Sequence, residues 1–200
     1  MCDRYGLTLV TPATLSPLTQ TEVEDWLRID PEDAQAGVVA MLITEAAQRF
    51  ERVTGRALLT QTWRLTLDSW PAVIELPRPP AASVTSITYV DTAGNTQTLS
   101  ASAYRLNADQ WPARIEPATG YTWPSLYSWY KEKVKVTYVA GYAAATSIPT
   151  EIKLALLQHV AYRFLRRGDA VAGEQAGATG GGAESYLDGL FLKFDAGGYS

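Results

Sequence analysis

Apolar positions change their spacing twice along this 200-residue chain. They run at helical intervals up to about residue 58, alternate through the middle, and return to helical intervals at Pro149. Thr19-Gln20-Thr21-Glu22 has capping-box spacing, as does Thr21 through Glu24. Val23, Trp26 and Leu27 follow as one apolar face of a short helix. Asp30-Pro31-Glu32-Asp33 reads as an N-cap, a first-turn proline and first-turn acids, predicting a second helix from Pro31 to about Thr54. Val39, Ile43, Ala46, Phe50 and Val53 form its stripe, and Gly55 stands where a terminating glycine belongs.

Period two then takes over. Trp63, Leu65 and Leu67 alternate with polar residues, as do Val134, Val136 and Tyr138 with Lys133, Lys135 and Thr137. Short strands are also expected at 73–76, 84–90, 96–99, 104–106 and 114–115, with 91–95 as a hairpin loop. Together they predict a small antiparallel sandwich or barrel-like module. From Pro149, capped by Ser147 or Thr146, a last helix carries two stripes: Leu154, Leu157, Ala161 and Phe164, and Ile152, Leu156 and Val160. Apolar on so much of its circumference, it should be the central helix against which the first two pack.

The fold class expected is therefore α+β, a discontinuous helical bundle with an inserted β module. Neither helical block is long enough to bury a core alone, so the two must share one interior. Residues 1–17 form an N-terminal extension, 18–58 and 146–168 the helical domain, and 59–145 the β domain. Residues 169–185 read as a glycine-rich flexible tether and 186–200 as a C-terminal docking tail. Tyr186, Leu187, Leu190, Phe191, Leu192 and Phe194 give that tail its apolar, partner-binding character, with Tyr199 beyond them.

Composition narrows the function classes. A net charge of −4 is not the dense basic footprint that holds duplex DNA. A lone Cys2 allows no disulfide within one chain, so cysteine usage says nothing against a reducing cytoplasm. The first ten residues lack the basic start and apolar run of a signal peptide. No apolar stretch of about 18 residues is present to cross a membrane. The one histidine, His159, falls in the buried helix and reads as a polar residue at a helix crossing or a subunit contact. No catalytic, cofactor or metal residue is assigned. His159 and Cys2 supply no metal cluster, and nothing singles out a carboxylate pair among 21 acids. Residues 177–182 lack the Lys-Ser/Thr ending of a phosphate loop.

Three Trp-Pro pairs begin at Trp70, Trp111 and Trp123. They are either rigid corners packed by indoles or a contact surface, a sugar-stacking platform included. Lys131, Lys133 and Lys135 share a strand face, which is a solvated face or a guarded edge. Arg163, Arg166 and Arg167 complement a helix C-terminus, or meet an acidic partner or the DNA of a channel.

The segment Leu18-Thr19-Gln20-Thr21-Glu22-Val23-Glu24-Asp25-Trp26-Leu27-Arg28-Ile29-Asp30 resembles the start of head–tail connector (adaptor) proteins of long-tailed phages. So does Ala46-Ala47-Gln48-Arg49-Phe50-Glu51-Arg52-Val53-Thr54-Gly55-Arg56-Ala57-Leu58, and residues 148–167 resemble that family's return helix. The β insert resembles a longer subgroup found in prophages and phage-derived gene transfer agents. The tail departs from the family: a leucine pair followed by Tyr-Arg is replaced by Leu190-Phe191-Leu192-Lys193-Phe194. The resemblance implies a structural virion protein with no catalysis. It implies a homo-oligomeric ring of twelve copies at the head–tail junction, assembled in the bacterial cytoplasm. Its partners would be the portal protein and a tail-side connector or tail terminator protein. DNA would pass without sequence-specific binding, and no membrane is involved. The competing reading is a carbohydrate- or cell-surface-binding β module of a phage-like particle.

Overall fold

The computed structural model describes residues 5–29, 36–129, 131–166 and 180–195. The chain divides into two compact units, one of residues 1–14 and 60–142, the other of 15–59 and 143–200.

The β unit holds two antiparallel sheets. Its strands are β1 (Tyr5–Thr11), β2 (Gln61–Leu67), β3 (Ile74–Leu76), β4 (Ala81–Val90), β5 (Thr96–Thr98), β6 (Tyr104–Asn107), β7 (Ala113–Pro117) and β8 (Val134–Ala140). Five strands run in the order β1-β2-β8-β4-β5 and three in the order β3-β7-β6. Among the described residues neither sheet closes on itself, so the barrel-like alternative falls. Leu65 pairs with Val136 and Trp63 with Tyr138, a register that puts the apolar set of both strands on one face. Val134, Val136 and Tyr138 are fully buried. Of the expected extension, residues 1–14 fall in this unit and 15–17 in the other; Tyr5–Thr11 pairs with β2 from Tyr5↔Leu67 to Thr11↔Thr62. The 91–95 loop joins β4 to β5 around Asp91, whose carboxylate accepts from Gln97 Nε2 and from the Ala93 and Asn95 amides, each at 2.9 Å. Those bonds, the Gln97 one first, hold its pKa below the ordinary carboxylate value.

The helical unit contains α1 (Gln20–Leu27), α2 (Ala36–Thr54), α3 (Thr150–Leu165) and α4 (Gly180–Leu192). Thr19 caps α1 in a reciprocal box with Glu22, so the first of the two possible boxes is the one used. The proposed start of α2 at 30–35 lies outside the described residues. Val39, Ile43, Ala46 and Phe50 are buried, Val53 is half-buried, and Gly55 ends the helix at φ 67°. Helix α3 packs on α1, α2 and α4. Lys153 ties α3 to Glu22 of α1 at 2.7 Å. Residues from before and after the β insert therefore share this core.

Three local expectations change. Pro149, not Ser147 or Thr146, occupies the N-cap of α3, and no side chain caps it. The Ile152, Leu156 and Val160 stripe is the buried one; Leu154 is exposed, Leu157 and Ala161 half-buried. Trp26 is 45% exposed because an eight-residue helix buries only its Val23 side.

Candidate functional site

Residues 180–185 were expected to belong to a flexible tether, and they are the first turns of α4. The rest of the tether, 169–179, lies outside the described residues. Gly180, Gly181 and Gly182 each disfavour a helix by about 1 kcal/mol relative to alanine. Packing outweighs them: Leu187 and Phe191 are fully buried, and each such side chain contributes about 1.5–3 kcal/mol. Phe191 meets Phe50 edge-on with centroids 5.3 Å apart and lies parallel to the His159 ring, also at 5.3 Å. Phe194 tilts against Phe50 at 6.0 Å, and its carbonyl accepts from Arg56 Nε at 2.6 Å.

Polar groups surround this seat. Arg49, 6% exposed, directs Nε and Nη2 onto Asp188 Oδ1 at 2.9 and 2.8 Å. Glu45 receives His159 Nε2 and lies 3.5 Å from Arg163 Nη2 and 4.0 Å from Arg49 Nη1. Burial lowers the His159 pKa, against the opposing pull of Glu45. The neutral ring with its proton on Nε2 suits the site, since buried Nδ1 has no hydrogen-bond partner among the described residues. Protonation there would bury an unsatisfied N–H. His159 is thus a packed polar residue at a helix crossing, as its sequence position indicates.

Each candidate partner-binding residue can now be placed. Leu187 and Phe191 are fully buried in the chain's own core. Tyr186 and Leu192 are exposed, Leu190 and Phe194 half-buried. Arg163 faces Glu45, and Arg166 bonds the Tyr162 hydroxyl at 2.9 Å while its guanidinium covers that ring. Tyr162 in turn leans on Tyr186 at 5.3 Å. Arg167 and Tyr199 lie outside the described residues. Glu45, Arg49 and Asp188 escaped sequence reading. The available signal was the 187–191–194 spacing, a helical interval within the supposed tail.

In the β unit, Trp70 and Trp123 stack at 4.6 Å and 5°. Each indole also donates into the other's Trp-Pro corner, Trp70 to the Pro124 carbonyl and Trp123 to the Pro71 carbonyl, both at 2.9 Å. The two rings cover one face of each other and brace two loops. Trp111 is separate in sequence, between β6 and β7, and 48% exposed. Among the described residues no group of three or more His, Cys, Asp or Glu is placed to hold a metal ion.

No protein-family model and no curated protein sequence matches the chain. Solved structures do. A chain in the neck of an empty gene transfer agent (GTA) particle, treated with C6 symmetry, is 26% identical with a TM-score of 0.71, the match covering 95% of both chains. A chain of the virion of a native GTA particle is 23% identical with a TM-score of 0.70 over 94% of each. A chain in the neck of a native GTA particle, with C12 symmetry, is 24% identical with a TM-score of 0.65, covering 95% of this chain and 94% of that one.

Proposed function

We propose that this chain is a structural subunit of the neck of a phage-like particle, acting as the adaptor between portal and tail. One observation carries the proposal: the 26%-identical neck chain matches over 95% of both lengths, so the likeness takes in both units and not a shared module. The adaptor role itself comes from the resemblance of residues 18–58 and 148–167 to head–tail connectors. In this reading the subunit closes a ring through head-to-tail contacts, twelve copies satisfying the sixfold symmetry of that neck. The portal lies on one side and a tail-side connector or terminator on the other. DNA passes through without sequence-specific binding, which a chain of net charge −4 favours. Assembly takes place in the bacterial cytoplasm. The exposed Tyr186 and Leu192 remain available to a partner at the C-terminal end.

Deleting the gene in a producing cell tests the role. Filled heads without tails should accumulate, and the wild-type chain supplied in trans should restore tailed particles. Normal tailed particles from the deletion strain would overturn the proposal.

A further inference from the structure

A groove of about 410 Å³ opens in the β unit between the β4–β5 hairpin and the start of β8. Tyr89, Gly94, Thr96, Tyr127, Lys133 and Lys135 line much of it, with Glu132 the one carboxylate on its rim. Edge protection does not explain the lysines. Strand β8 is third of five and paired on both sides, so it presents no free edge to guard. The residues paired with Lys135 are Thr66 and Thr88, not acids. Among the described residues neither ammonium has an ion-pair partner. Lys131 and the 90%-exposed Trp129 precede them, which adds a further cation and an interface-type anchor.

Charge is divided unequally between the units. The β unit carries 8 Lys/Arg against 7 Asp/Glu, and the helical unit 9 against 14. The acid excess is densest at residues 22–33, where the sequence has Glu22, Glu24, Asp25, Asp30, Glu32 and Asp33 and a single base, Arg28. Of the described acids in this stretch, Glu22 is engaged by Lys153 and Glu24 by Gln20.

We propose that this groove receives the acid-rich stretch 25–33 of a second copy of the chain. Lys135 stands on β8 and Lys133 directly before its first residue, and both line the groove. Charge complementarity selects the occupant: the cations of the groove have no acid of their own unit as ion-pair partner among the described residues, and 22–33 is where acids are densest in the sequence. A contact between unlike surfaces, basic groove on one copy and acidic stretch on the next, is what a head-to-tail ring requires. The inference names the contact within the neck reading and rests on it.

The test uses the full chain and a labelled peptide of residues 21–35. Fluorescence anisotropy should rise saturably and fall back with added salt. K133E/K135E should weaken binding by about tenfold or more, and K133Q/K135Q by less. The peptide carrying Asp30→Asn, Glu32→Gln and Asp33→Asn should lose a similar factor. Circular dichroism melts matching wild type show that the lysine variants fold, and the Gln pair stands in if the Glu pair does not. Absence of saturable binding, or equal affinity for wild type and the Gln pair, would overturn the proposal. So would mixed-sequence duplex DNA binding the lysine pair more tightly than the peptide. Failure here beside neck localisation in particles removes only this contact; peptide binding without neck localisation removes the proposed function and leaves a self-association site.

Discussion

The two units close their structures by opposite means. In the β unit, Trp70 and Trp123 belong to loops of one insert, and each indole is fixed to the other's corner by stacking and a backbone hydrogen bond. In the helical unit, closure comes from the far end of the chain. Helix α4 brings Leu187 and Phe191 onto Phe50 and His159, and Asp188 onto Arg49, 139 residues away. Loop-closure entropy differs by only about 1 kcal/mol between the two spans, so the contrast lies in what holds each closure, a stack with two hydrogen bonds in one and buried side chains in the other. The helical unit should therefore respond most to substitutions in its last helix, and the β unit should be indifferent to them.

Removing the β unit is the largest break available. Thr60 N–H donates to the Tyr142 carbonyl at 3.1 Å, so the two ends of the insert are adjacent and a short linker can join them. Deleting residues 1–14 and replacing 60–142 with Gly-Ser should leave a helical protein with a cooperative melt by circular dichroism. An unfolded product would mean that the two cores are interdependent. Next in size is Phe191→Ala, expected to cost the helical unit about 3–5 kcal/mol by denaturant titration. The fluorescence of the β-unit tryptophans should keep its own midpoint. Trp123→Ala reverses the comparison: loss of the stack and one hydrogen bond should cost the β unit about 3 kcal/mol and leave the helical signal in place.

Smaller effects sharpen the picture. Asp188→Asn should cost about 1 kcal/mol, since Asp188 is 41% exposed and water shares the screening of its pair with Arg49. His159 gives a pH signature. Its pKa is lowered in the fold from an ordinary 6.5, so between the two values the unfolded chain binds the proton that the folded chain refuses. Stability should be full above about pH 6.5 and decline as pH falls toward the folded-state pKa. His159→Phe should flatten that decline, as read by urea midpoints at pH 5 to 8.

What was legible in the sequence follows the same division. The 39–43–46–50 stripe, the Thr19 capping box and the alternation along β8 are local patterns, and each forms where its spacing indicates. Strand β1 has the alternation of Leu7 and Leu9 with Thr8, but a mostly exposed edge strand becomes recognisable only once β2 is its partner. Helix α4 is hidden because its three leading glycines read as a tether while its burial depends on Phe50 and His159, distant in sequence. The Arg49–Asp188 pair has no local signature at all. The stacked tryptophans were visible as Trp-Pro pairs, yet only the fold shows that Trp70 chooses Trp123 and not Trp111.

Electron microscopy of particles from the producing cell bears most directly on the proposed role. A ring of this chain should lie between portal and tail, with residues 180–192 traced as a helix against residues 36–54 and 150–165. A chain found elsewhere in the particle, or particles built without it, would contradict the account.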